Sequence, residues 1–90
     1  MKVQDHFIEN KHDLSENLRS FREDLEFSQH KVAKLLNIDR STYSYYELGK
    51  TAPDIFTLIK ISKIFNINPY FLILKNGRDL YYQFKERKDK

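Results

Sequence analysis

The segment QHKVAKLLNIDRSTYSYYEL, residues 29 to 48, constrains this chain more than any other stretch. Val32, Ala33, Leu35 and Leu36 read as the apolar positions of a short helix beginning after Ser28. Asn37 follows at once, and asparagine adopts the left-handed backbone of a tight turn more cheaply than most residues. Ile38 comes next, then Asp39, a good N-cap for another helix running to about Leu48. Gly49 stops that helix. Val32, Leu36, Ile38, Tyr43 and Tyr46 supply the inward faces. The small Ala33 sits where the two helices would cross, and a bulkier residue there would push them apart. On the outer side of the second helix Arg40, Ser41, Ser44 and Tyr45 share one polar face by i, i+4 spacing.

The rest of the chain supports a helical reading around this pair. Leu14, Leu18, Phe21 and Leu25 mark one face of a preceding amphipathic helix, with Asp13 and Glu16 as a capping-box-like start. Pro53 and Asp54 reset the chain for a helix over roughly 55–65, and Asn68 and Pro69 open a short one to Leu74. Asn76-Gly77 is a turn signal. The pattern of DLYYQF fits a final helix or an extended segment equally. Two glycines and two prolines in 90 residues argue against an all-β fold. The expected architecture is all-α: a loose arm over 1–12, a helical domain over 13–74, and an extension over 75–90 that serves as a dimerisation element with a basic tail.

Composition removes several classes of function. The absence of cysteine excludes disulfides and thiolate metal sites. His6, His12 and His30 lack metal-ligand spacing, so neither metal nor cofactor is expected. No Ser-His-Asp set or glycine-rich phosphate loop is implied, which leaves no basis for an enzyme. No stretch approaches the roughly 20 apolar residues of a membrane span, and the first twelve residues show no signal-peptide core; the expected location is the cytoplasm. The net charge of +3 is modest, but it is unevenly spread. Residues 13 to 26 carry five acids against Arg19 and Arg22, whereas residues 75 to 90 carry six bases against three acids. An acidic first segment followed by basic ones suggests that one side faces an anionic partner. The end FKERKDK reads as a solvated, frayed terminus rather than an arm.

Taken together, LRSFRE, SQHKVAKLLNIDRSTYSYYELGKTAPD and LIKISKIFNINPYFL resemble the Cro/C1-repressor, or xenobiotic-response-element-like, helix-turn-helix family over about Leu14 to Ile73. The resemblance implies a five-helix domain that lays its third helix in the major groove of duplex DNA as a dimer. By position it assigns base-facing roles to Arg40, Ser41, Ser44 and Tyr45, and backbone contacts to Gln29 and Lys50. Lys31, where an acid is usual, adds a base near the phosphates. Thr42 is grouped with the backbone contacts and supports the first turn of its helix. Arg22 and Glu47 match the family's internal ion pair. Other departures are Ser62 in place of alanine, Leu48 at a commonly polar site, and Phe56 and Ile64 where the fourth helix usually meets water.

The function so implied is sequence-specific DNA binding by a small bacterial or phage-type transcriptional regulator, a repressor without a small-molecule ligand. An antitoxin that also caps a toxin, and a protein-interaction module of the same fold, are the alternatives. Ile61, Ile64 and Phe56 on the far side of the fourth helix, together with Leu80, Tyr81, Tyr82 and Phe84, are expected to meet within one chain or across a two-fold axis. Homodimerisation is therefore expected through helix 4, helix 5 or the C-terminal segment.

Overall fold

The computed structural model describes residues 11–88, and the described residues form helices only: α1 (Lys11–Asp24), α2 (Gln29–Leu36), α3 (Arg40–Leu48), α4 (Ile55–Phe65), α5 (Tyr70–Ile73) and α6 (Gly77–Lys88). Residues 1–10, most of the expected arm, lie outside the described residues, as do the last two of the basic tail. Helix α1 starts at Lys11, so Asp13 lies in its first turn rather than capping it. A carboxylate there still complements the helix dipole.

Local chemistry explains the three central helices. The Ser28 hydroxyl accepts the Lys31 N–H at 3.0 Å and starts α2. Asn37 ends it with φ 59°, while the Ile38 N–H closes back onto the Ala33 carbonyl at 3.0 Å. Gly49 ends α3 in the same left-handed conformation, at φ 75°. Asp54 caps α4 by accepting the Thr57 N–H at 2.8 Å, and Asn66 terminates it. Asp39 holds the N-cap position of α3 as expected, but its side chain makes no capping bond.

The core gathers one face from every helix up to α5: Leu18, Phe21, Val32, Ala33, Leu36, Tyr43, Leu58, Ile61, Phe65 and Leu72 are buried together. Ala33 is buried and α2 packs closely on α3, as a small side chain at that position allows. Leu35, expected among the apolar positions of α2, instead points outward and is 57% exposed. It falls between the buried positions 32, 33 and 36, one residue off the stripe. Leu25 is likewise exposed, because α1 ends at Asp24 and the backbone turns at Glu26 with φ 60°. Asn17 has the opposite fate. It is buried, and its amide donates to the Leu72 and Leu74 carbonyls at 2.9 and 2.7 Å, so it satisfies backbone groups at the open end of α5.

The extension is a helix, α6, and it folds back on its own chain. Tyr81 meets Phe21 and Phe71 edge-on, with ring centroids 5.5 and 5.4 Å apart. Arg78 and Tyr82 both donate to the Asp24 carboxylate at the end of α1. The turn into α6 requires glycine at 77, because a Cβ there would stand 1.7 Å from the Phe71 carbonyl oxygen. Asn76 before it takes a left-handed φ of 59°.

These contacts correct the expected meeting of the tail with helix 4 inside one chain, since α6 packs on α5 and α1. They also revise the outward face of α4. Ile61 is fully buried and Ile64 packs against the core, while Phe56 is 74% exposed. The sequence IFTLIKISKIF is apolar on nearly every side, so periodicity alone does not orient it.

Candidate nucleic-acid interface

Helix α3 is held by its inner face and open on its outer one. Tyr43 is fully buried and stacks edge-on with the half-buried Tyr46, ring centroids 6.1 Å apart. Arg40 and Ser41 are exposed at the head of the helix, with Thr42 half-buried beside them. One turn later Ser44 is half-buried, and Tyr45 is 44% exposed. The four expected base-facing side chains therefore share one accessible surface. Its neighbour Leu48 is exposed as well, adding an apolar side chain at the end of the helix.

Two of the expected backbone-contact residues lie over aromatic rings. The Lys50 ammonium sits 5.0 Å from the centre of the Tyr45 ring, and that of Lys31 sits 5.1 Å from Phe27. A cation over a ring face is held electrostatically while it remains available to solvent. The Lys50–Tyr45 contact joins a residue expected on the DNA backbone to one expected at the bases, a link that sequence spacing did not reveal.

Beneath this surface lies the ion pair that fixes the helix. The Arg22 guanidinium grips Glu47 with two hydrogen bonds of 2.6 and 3.0 Å and also donates to the Phe27 carbonyl at 2.8 Å. The two side chains are 13% and 3% exposed. Gln29 joins them, its amide donating to Glu47 at 3.0 Å. Thus the residue expected at a phosphate is also the brace between the start of α2 and the end of α3, which the linear pattern gave no means of seeing. The Tyr43 hydroxyl lies close to the same carboxylate, buried, without meeting full hydrogen-bond geometry. Burial first, and then the carboxylate's charge, push its ionisation well above the ordinary tyrosine value.

Burial by itself would raise the Glu47 carboxyl, but the hydrogen bonds from Arg22, with Tyr43 and Gln29 alongside, outweigh it and hold the group below its usual range. Asp24 is held down as well, chiefly by its hydrogen bond from Arg78. Both carboxyls thus favour folding above their unfolded values of about 4, and that contribution is lost as pH falls through the lower folded values. The melting temperature is expected to stay level near neutral pH and to decline on acidification below about pH 4. The decline should be shallower in Asp24→Asn, as thermal melts followed by circular dichroism would show.

Two short helices crossing over a small residue, with the second presenting a polar outward face, define a domain of the helix-turn-helix class. The chain belongs to the helix-turn-helix family, whose family model matches residues 18–72. It is 35% identical over 74 residues to the HTH-type transcriptional regulator YqaE of Bacillus subtilis, a match covering 82% of this chain and 64% of that protein. In structure it is similar to the restriction-modification controller protein C.AhdI from Aeromonas hydrophila, at TM-score 0.66 and 25% identity, covering 70% of this chain and 96% of that one. The P22 c2 repressor, solved in complex with a synthetic operator, is similar at TM-score 0.63 and 25% identity, covering 67% of this chain and 91% of that one. The curated relatives are longer proteins, of which the matched region spans 50 to 64%. No helix among the described residues is long and apolar enough to cross a membrane.

Proposed function

We propose that this protein is a sequence-specific transcriptional regulator of the cytoplasm, a repressor, that reads duplex DNA through the outward face of α3. The observation that carries this reading is the exposure of Arg40, Ser41 and Tyr45 on a helix whose other face is locked into the core. A helix so presented fits the width of the major groove. Arg40 can contact guanine, Ser41 and Ser44 can meet base edges, and Tyr45 can press on a thymine methyl. Backbone phosphates are met by Gln29, Lys31 and Lys50, with Thr42 supporting the first turn of α3. At α2 the Lys31 N–H is already taken by Ser28, which leaves the N–H groups of Gln29 and His30 for an anion. The hydrogen bond from Gln29 to Glu47 keeps that helix start at a set distance from α3.

Selection of bound sequences from random duplexes tests this directly. A single enriched motif is expected, and recovery of no preferred sequence would refute sequence-specific reading. Against the selected duplex, Arg40→Ala should lose about 1–3 kcal/mol of discrimination at one base position. Lys50→Ala should weaken all sequences alike and lower the salt slope by about 1.

The reading extends to a homodimer. Ile55, Phe56 and Ile59 on α4 and Tyr70 and Ile73 on α5 are exposed large apolar side chains. Exposed apolar patches of this sort mark association surfaces, and a two-fold dimer would produce an operator with two half-sites. Sedimentation should give a dimer that Phe56→Lys weakens; a monomer at high micromolar concentration would refute it.

A further inference from the structure

The open groove where α2 turns into α3 is lined by His30, Lys34, Asn37, Asp39 and Arg40, among others. His30 and Lys34 are both exposed and one turn apart on the same face of α2. Arg40 stands at the first position of α3. None of these three makes an ion pair among the described residues. Asp39 is the acidic group in the groove, and no titratable residue of α4 lines it. Because the Asp39 side chain makes no capping bond, the first N–H groups of α3 receive no acceptor from it. Lys34 and Arg40 thus outweigh Asp39 by one charge, and a protonated His30 doubles that excess.

We propose that this groove holds a phosphate of the DNA backbone and that protonation of His30 strengthens the hold, making operator affinity rise as pH falls. The inference rests on the duplex-binding reading above. It adds His30 and Lys34 to the binding surface and gives it a proton-linked component. A phosphodiester carries a single negative charge, which suits a groove whose surplus is one positive charge at high pH and two at low pH. Histidine is the side-chain type whose charge changes within the physiological pH range, so it is the member of this groove suited to a proton-linked role.

The test measures affinity for the selected duplex by fluorescence anisotropy between pH 8 and pH 5.5, at several salt concentrations. Wild-type affinity should rise by roughly three- to tenfold across that interval. His30→Gln should remove most of that rise. Lys34→Ala should lower the salt slope by about 0.9, the value for one phosphate contact. Lys63→Ala, which removes an equal charge from the exposed side of α4, should leave the slope unchanged. All three side chains are exposed, so unchanged thermal melts are expected for the variants. If His30→Gln keeps the full pH response, or Lys63→Ala moves the slope as far as Lys34→Ala, the groove site is refuted while the regulator reading stands. If the wild type selects no duplex, both are refuted.

Discussion

Arg22→Ala is expected to destabilise the domain by about 3–5 kcal/mol, the usual result of removing one member of a buried ion pair. The Glu47 carboxylate it leaves behind is 3% exposed, out of reach of water. Gln29 and the imperfectly placed Tyr43 hydroxyl would be its remaining neighbours, and neither carries a positive charge. The Phe27 carbonyl would lose its donor at the same time. Small domains have about 5–15 kcal/mol of stability in total, so the melting temperature should drop by roughly 15 °C or more. Replacing both partners with apolar residues of similar size, as in Arg22→Met with Glu47→Leu, should recover much of that loss, because the stranded charge is then gone. A double variant no better than Arg22→Ala alone would show that the hydrogen bonds to Phe27 and Gln29, rather than the buried charge, dominate. DNA affinity should follow stability here, since the pair and Gln29 together connect α1, α2 and α3.

Phe21→Ala should have a comparable effect, about 3–5 kcal/mol, as expected for truncating a buried phenylalanine. Phe21 is 2% exposed and stands between the central core and the ring of Tyr81 on α6. Its loss opens a cavity and also removes an edge-on aromatic contact, a type worth about 0.5–1.5 kcal/mol beyond area burial. Chemical denaturation measures the loss, and amide exchange shows where it falls. Protection in α6 should drop further than in α2 and α3, because α6 is anchored largely through Phe21, Phe71 and the Asp24 carboxylate. Uniform loss of protection would mean that α6 has no separable stability.

The segments most legible in the sequence were those with their signals close by. Ser28, Asn37, Gly49 and Asp54 each act within a few residues of their own position, and they bound α2, α3 and the start of α4 closely to the expected limits. The outward face of α3 was legible for the same reason, since helical spacing alone puts Arg40, Ser41, Ser44 and Tyr45 on one side once Tyr43 and Tyr46 turn inward. The Arg22–Glu47 pair was reached through family resemblance, 25 residues apart in the chain, and the structure brings it together. Other features misled. Leu35 looked like core because it is apolar, yet it lies about 100° around the helix from Leu36, off the buried stripe of Val32, Ala33 and Leu36. The outward side of α4 could not be chosen because apolar residues surround the helix.

What the sequence determined unaided is therefore the set of helices from α2 to α4 and the exposed polar face of α3, because caps, turns and helical period are local properties. Only the tertiary structure decided that residues 77–88 form a helix packed on α1 and α5, that Asn17 is buried, and that Gln29 braces Glu47. Each of these depends on a group distant in the chain: Phe71 against Gly77, Asp24 against Arg78, the Leu72 and Leu74 carbonyls against Asn17. A pattern such as DLYYQF is compatible with two conformations until another surface buries one of its faces. Burial and long-range hydrogen bonding then choose, and neither is encoded in the neighbouring residues.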